Sequence, residues 1–338
     1  MDPHTRTLRF GGLLIACTVL VRLAATGALL PVADWFRKPE TQAFILYLET
    51  GRKVRFSPSL ERFPNPDETA PVPTVPPATE SPRELPVFSA NLGDGTDLFY
   101  ACSARPDVEA LLEMPLSWDL TGPEPKVLIL HTHATESYTK QGEDYEESSD
   151  YRTLDENYNM ISIGTRVAQL LQEAGIPVIH DRQLHDYPSY NGSYNAARKA
   201  IQSVLAEYPG IRLVLDLHRD ASGDLSNQFR PVTEVDGEDT AQIMLVLGTD
   251  TGGLDHPHWQ ENLALGLKLQ AQLERQAPGI TRAASLRAQR FNQDLTRGSL
   301  LIEMGAAGNS HDEALRAAQQ LAKAIIALSK GTKESPAG

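Results

Sequence analysis

The sequence predicts a single α/β domain: a mainly parallel or mixed sheet flanked by helices. Three observations predict it. Aliphatic runs of strand length recur at residues 126–130, 211–217, 241–247 and 299–303. Helix-spaced segments separate most of them, and strands alternating with helices of this length form a sheet covered on both faces. Three runs end in chemistry: Leu130-His-Thr-His-Ala-Thr-Glu136, Leu217-His-Arg-Asp220 and Ile302-Glu-Met-Gly305. In such sheets ligands gather at the carboxyl ends of the strands.

The elements follow in chain order. Residues 107–114 read as a short helix. The unbroken aliphatic character of 126–130 marks a strand buried on both faces. Residues 141–155 carry Glu143, Asp144, Glu146, Glu147 and Asp150, and read as a long, solvated acidic loop. From 159 to 174 the apolar residues Met160, Ile163, Val167, Leu170 and Leu171 keep helical spacing, and Gly175 supplies the stop. A strand is predicted at 176–180, a helix at 194–207 and a strand at 211–217. Another strand at 241–247 ends in Gly248-Thr-Asp250. A helix at 259–276, a strand at 299–303 and a closing helix at 312–329 complete the domain.

The flanks are different in kind. Residues 10–30 are almost wholly apolar, with Arg22 as the sole charge, and Arg6 and Arg9 precede them. That length spans a hydrocarbon core of about 30 Å, and the basic residues keep the amino terminus inside. Residues 1–31 therefore read as a membrane anchor, with a cleaved signal segment as the alternative. Nine prolines fall between Pro58 and Pro86, so 32–86 reads as an extended extracytoplasmic linker. The catalytic domain is assigned to 87–330 and a flexible tail to 331–338.

Bulk properties narrow the function. A net charge of −13 over 338 residues argues against nucleic-acid binding, which needs a basic surface. The two cysteines, Cys17 and Cys102, form no CxxC pair. A transition metal would therefore rest on histidine and carboxylate.

The candidate ligands are His131, His133, Glu136 and His218. Were the strand to continue through His133, both early imidazoles would share a face. The His133-x-x-Glu136 spacing lets one imidazole and one carboxylate meet, and His218 supplies a second strand-end imidazole. Two histidines, one carboxylate and an open position make a catalytic zinc set. Glu303, on an aliphatic strand, needs a partner because a bare buried carboxylate is costly. It reads as the general base that takes a proton from the attacking water and delivers it to the leaving amine. Arg219 reads either as an oxyanion stabiliser or as a partner of Asp216 or Asp220. His180, His185, His256, His258 and His311 read as surface or capping residues. Asn292-Gln293-Asp294 suits a substrate contact or a plain turn.

Taken together, these motifs resemble the stage II sporulation protein P family. Leu130 to Tyr138, Asp216 to Asp220, Gly248 to Asp250, Arg290 to Asp294 and Leu301 to Gly305 carry the resemblance in order, over residues 87–329. It implies a zinc amidase-like fold and a Zn2+-dependent N-acetylmuramoyl-L-alanine amidase with endopeptidase activity. The setting it implies is peptidoglycan between mother cell and forespore during engulfment. The partners it implies are a lytic transglycosylase and a membrane scaffold protein. The essential histidines would fall within His131/His133 and on His218, and the essential glutamate on Glu303. Glu136 fits as third ligand, with Glu156 as its rival. The HxxE spacing favours His133, with His131 supporting it from behind.

Overall fold

The computed structural model describes residues 87–88, 97–115, 119–142, 144–149, 151–221, 223–224 and 227–331. The expected anchor (1–31), the linker (32–86) and the tail beyond Gly331 lie outside the described residues. Among the described residues no helix is long and apolar enough to cross a membrane. The elements below all belong to one compact unit, Pro82–Gly338.

Twelve strands and five α-helices are described. The strands are β1 (Val87–Phe88), β2 (Leu98–Ala101), β3 (Val127–Leu130), β4 (Val178–His180), β5 (Leu213–Asp220), β6 (Gly223–Asp224), β7 (Asn227–Gln228), β8 (Val232–Val235), β9 (Glu238–Ala241), β10 (Ile243–Gly248), β11 (Ala284–Arg287) and β12 (Ser299–Ala306). The helices are α1 (Val108–Glu113), α2 (Met160–Glu173), α3 (Ser193–Glu207), α4 (Trp259–Gln276) and α5 (His311–Gly331). Eight strands form one sheet in the order β1-β2-β11-β10-β12-β5-β3-β4. β12, β5, β3 and β4 run parallel to one another. β10 lies antiparallel to β12 and continues parallel through β11 to β2. The sheet is therefore mixed.

Alternation along the strands explains the layering. Leu213, Leu215 and Leu217 of β5, with Leu300, Ile302 and Met304 of β12, join the main core with residues of α2, α4 and α5. On the opposite face Leu128, Leu130 and Val214 pack on Ala197 and Ile201 of α3. Further along that face Met244, Val246 and Leu301 meet Phe291. One face thus carries three helices. The other carries α3 and the loop of Phe291.

Several expected elements have shifted bounds. The run at 241–247 is two elements: Ala241 ends the β8–β9 hairpin, and β10 begins at Ile243. The β6–β7 and β8–β9 hairpins, and the flanking strands β1, β2 and β11, were not foreseen. The acidic loop is solvated as expected: among its described residues 141–149 only Tyr145 is buried. Tyr145 is buried and donates to the Tyr138 carbonyl at 2.5 Å, and Thr153 donates to the Glu146 carbonyl at 2.6 Å.

Candidate active site

The site lies at the carboxyl ends of β3, β5 and β12, on the face that carries α3. β3 stops at Leu130, and residues 132–135 turn. That early stop separates the two histidines. His131 is fully buried toward α2; its Nδ1 lies 3.0 Å from the Leu217 carbonyl and its Nε2 2.9 Å from Nε2 of His180. The carbonyl can only accept, so Nδ1 of His131 carries the proton and Nε2 accepts from His180. Burial and the neighbouring His180 hold the His131 pKa down to about 3. Gly164 of α2 makes the space: a Cβ there would lie 2.5 Å from His131 Nε2. His133 instead faces the site. Its Nδ1 is buried and has no hydrogen-bond partner.

His133 and His218 meet edge to face, with ring centroids 5.2 Å apart at 89°. Glu136 joins them, its Oε2 3.6 Å from His218 Nδ1. The same oxygen accepts from the Arg219 amide at 3.3 Å, while Oε1 lies 3.3 Å from Arg152. Burial alone would raise the Glu136 pKa, but the charge of Arg219 and the contact with His218 bring it down to about 2. Behind His218 stands Asp216, whose Oδ1 lies 2.9 Å from His218 Nε2 as an ion-pair contact without hydrogen-bond geometry. Asp216 is itself fixed by the amide and hydroxyl of Thr132 at 2.8 and 2.6 Å. Burial opposes the charged imidazole, yet Asp216 and Glu136 together push the His218 pKa well above its ordinary value.

Glu303 sits beside His218 because the two are register partners on parallel strands. Its Oε2 is buried without a partner, although the residue as a whole keeps some exposure. Burial raises its pKa to about 8; His218 and Arg219 pull the other way, and Glu136 and Asp220 add to the rise. No ion pair joins it to Arg219 or Arg297, and Arg297 instead pairs with Glu261 at 3.1 Å. Beyond Glu303 the strand bulges between Glu303 and Ala306. Gly305, at φ 81°, makes that bulge, where a Cβ would meet Asn309 Oδ1 at 2.6 Å.

Two expectations change here, and Glu156, the rival to Glu136, drops out. Arg219 does not face the site: adjacent strand residues point to opposite faces, and its guanidinium donates to the carbonyls of Ser137 and Tyr151, both at 3.0 Å. Glu156 is surface-paired with Arg182, so Glu136 is the carboxylate that reaches the histidines. His180, His185 and His256 are not surface residues. His180 bonds His131, His185 is buried 2.9 Å from Asp181, and His256 is 1% exposed. A cavity of about 580 Å³ lined by Ile211, Arg212, His258, Leu295 and Gly298 opens at the opposite ends of β5 and β12.

The fit to a metal can be tested on these atoms. Among the described residues no group of three or more His, Cys, Asp or Glu side chains is arranged to hold a metal ion. The donor types nonetheless suit zinc, and His133 Nδ1 is an orphaned buried nitrogen beside His218 and Glu136. His131, with both nitrogens engaged, offers no lone pair.

Comparison with known proteins decides the family. The model of the stage II sporulation protein P (SpoIIP) family matches residues 76–326, well over half of the chain. The chain belongs to that family. The stage II sporulation protein P of Bacillus subtilis (strain 168) is 26% identical over 216 residues, covering 60% of this chain. The chain spans about half the length of that curated relative, the match covering 50% of it. Among solved structures, the CwlD amidase of Clostridioides difficile, in complex with the GerS lipoprotein, is similar at 16% identity. It covers 62% of this chain and 98% of its own, with a TM-score of 0.38. The N-acetylmuramyl-L-alanine amidase Ami1 of Mycobacterium abscessus is similar at 11% identity, over 63% of this chain and 100% of its own, with a TM-score of 0.37.

Within this SpoIIP-family site, three residues escaped the sequence reading. Arg152, from the acidic loop, joins Glu136 at 3.3 Å to Asp186 at 2.7 Å. Its guanidinium also lies 4.9 Å from the ring centre of Tyr190. Tyr190, 55% exposed, stacks on His133 at 4.5 Å and 11°. Tyr194 closes the other side, 5.5 Å from the His133 ring and 6.5 Å from the His218 ring. Nothing in spacing links these residues to His133, Glu136 and His218, because their contacts arise from chain packing.

Proposed function

We propose that this protein is a zinc-dependent peptidoglycan hydrolase that cleaves the amide between N-acetylmuramic acid and L-alanine. Membership of the SpoIIP family supports the substrate and a role in sporulation. One observation carries the chemistry: Glu303 presents a shielded, unpartnered carboxylate oxygen beside His218, in a cluster with His133 and Glu136. His133, Glu136 and His218 would hold the zinc. When bound, zinc would supply the positive charge that acidifies water and polarises the scissile carbonyl.

The chain's own residues do the rest. Thr132 fixes Asp216, which sets a negative charge against the His218 ring. Arg152 and the Arg219 amide hold Glu136 against it. Glu303 takes the proton from water as its oxygen attacks the carbonyl carbon. It then returns the proton to the alanine nitrogen as the C–N bond breaks. The buried carboxylate oxygen of Glu303, free of any hydrogen-bond partner, is open to hold that proton between the two steps. The reading places the protein outside the cytoplasm, held by residues 10–30, and acting in engulfment with a lytic transglycosylase and a membrane scaffold protein. The net charge of −13 gives no support to nucleic-acid binding.

The test is Glu303→Gln in the full-length chain, assayed on purified sacculi with zinc content measured in parallel. Turnover should fall by about 10²-fold or more, with zinc retained. Near-normal turnover would remove Glu303 from the mechanism.

A further inference from the structure

The loop preceding β12 carries an unusual turn. Phe291 and Asn292 are consecutive non-glycine residues at φ 50° and 58°. Each is in the left-handed region, which costs free energy and persists only where the surroundings impose it. Every polar side chain of the turn is spent inside the protein. Gln293 accepts from the Gly248 amide and donates to the Val246 carbonyl, both at 2.8 Å, and Asp294 forms a paired contact with Arg198 at 2.8 and 2.7 Å. The turn is therefore not itself a substrate contact. What it grips is Tyr194. The Asn292 amide donates to the Tyr194 carbonyl at 2.8 Å, and the Phe291 ring lies 6.1 Å from the Tyr194 ring.

Tyr194 is thereby wedged over the site. It stands edge-on to His133 at 89° and nearly parallel to His218 at 15°. Its hydroxyl donates no hydrogen bond to any described residue, and its ring is half-buried against both imidazoles. A phenol's ordinary pKa of about 10 keeps this hydroxyl protonated at neutral pH. A phenol O–H donor fixed over the two imidazoles, with its hydrogen uncommitted among the described residues, suits a developing negative charge. Arg219 cannot serve there, because its guanidinium is turned to two carbonyls.

Resting on the hydrolase reading above, we propose that Tyr194 is a catalytic residue that donates a hydrogen bond to the scissile carbonyl oxygen as water adds to the carbon. The C=O π electrons move onto that oxygen, and the phenol stabilises it without giving up its proton. The π bond re-forms when the C–N bond breaks, and Glu303 carries the transferred proton throughout. The Phe291–Asn292 turn is the positioning device for the phenol.

The experiment compares full-length wild type, Tyr194→Phe and Asn292→Ala on purified sacculi, with zinc content measured for each. Removing one such donor costs about 10²-fold in turnover. Tyr194→Phe should lose about that much in kcat while KM stays within about 2-fold and zinc content is unchanged. Asn292→Ala should lose less. Combined with Tyr194→Phe it should add almost nothing, since both act through one hydroxyl. An active wild type with an equally active Tyr194→Phe overturns this inference alone, and so does a loss confined to KM. A zinc-loaded wild type that leaves sacculi intact overturns the hydrolase reading and the inference with it.

Discussion

Removing the Glu303 charge should change the pH dependence of stability in the metal-free protein. In the unfolded chain the carboxyl titrates near 4.5, whereas in the fold it holds its proton to about 8. A raised carboxylate pKa favours the folded state at low pH. That contribution is complete below about 4.5 and is lost as pH climbs toward 8. Each pH unit inside the window costs the fold about 1.4 kcal/mol, which sets a ceiling of roughly 5 kcal/mol at pH 8 and about 1 kcal/mol at pH 5. The partial exposure of the side chain lowers the ceiling. Glu303→Gln removes the titration while keeping the shape. Its amide brings its own desolvation cost, but that cost does not vary with pH. Thermal unfolding of the chelated proteins from pH 5 to pH 8 is the assay. The variant's melting temperature should gain on wild type across this range, by about 2–4 °C per kcal/mol for a domain of this size. Parallel pH profiles for the two proteins would refute the reasoning.

Other substitutions test the supporting parts. His218→Ala should abolish zinc retention, read by elemental analysis after dialysis. Arg152→Ala frees Glu136 and removes the cation above Tyr190; zinc affinity, measured against a chromophoric chelator, should weaken about 10–100-fold. Gly164→Ala puts a methyl 2.5 Å from His131 Nε2 and 2.7 Å from His180 Nε2. Chemical denaturation should show a loss of about 1–3 kcal/mol, even though alanine is the better helix former.

The sheet centre was legible because β3, β5 and β12 are buried on both faces and so write themselves as continuous aliphatic runs. Strands β2 and β11 were not. Leu98-Phe-Tyr-Ala and Ala284-Ser-Leu-Arg are short, and β2 is only partly shielded. The choice between His131 and His133 turned on where β3 stops, and no residue marks that stop. Arg219 is a different case. Period-two alternation already separates it from His218, so the sequence held the signal that removes it from the site. Arg152 reaches Glu136, and Tyr194 reaches His133 and His218, only through the packing of the acidic loop and the first turn of α3. No linear spacing predicts such contacts.

The central claim is amide cleavage at muramic acid by the Glu303 site. Mass spectrometry of sacculi digested by the zinc-loaded, full-length protein tests it most directly. The predicted products are free stem peptides with an L-alanine amino terminus, together with glycan strands bearing free lactyl carboxyls. Stem peptides still joined to muramic acid, with only their cross-links cut, would contradict it.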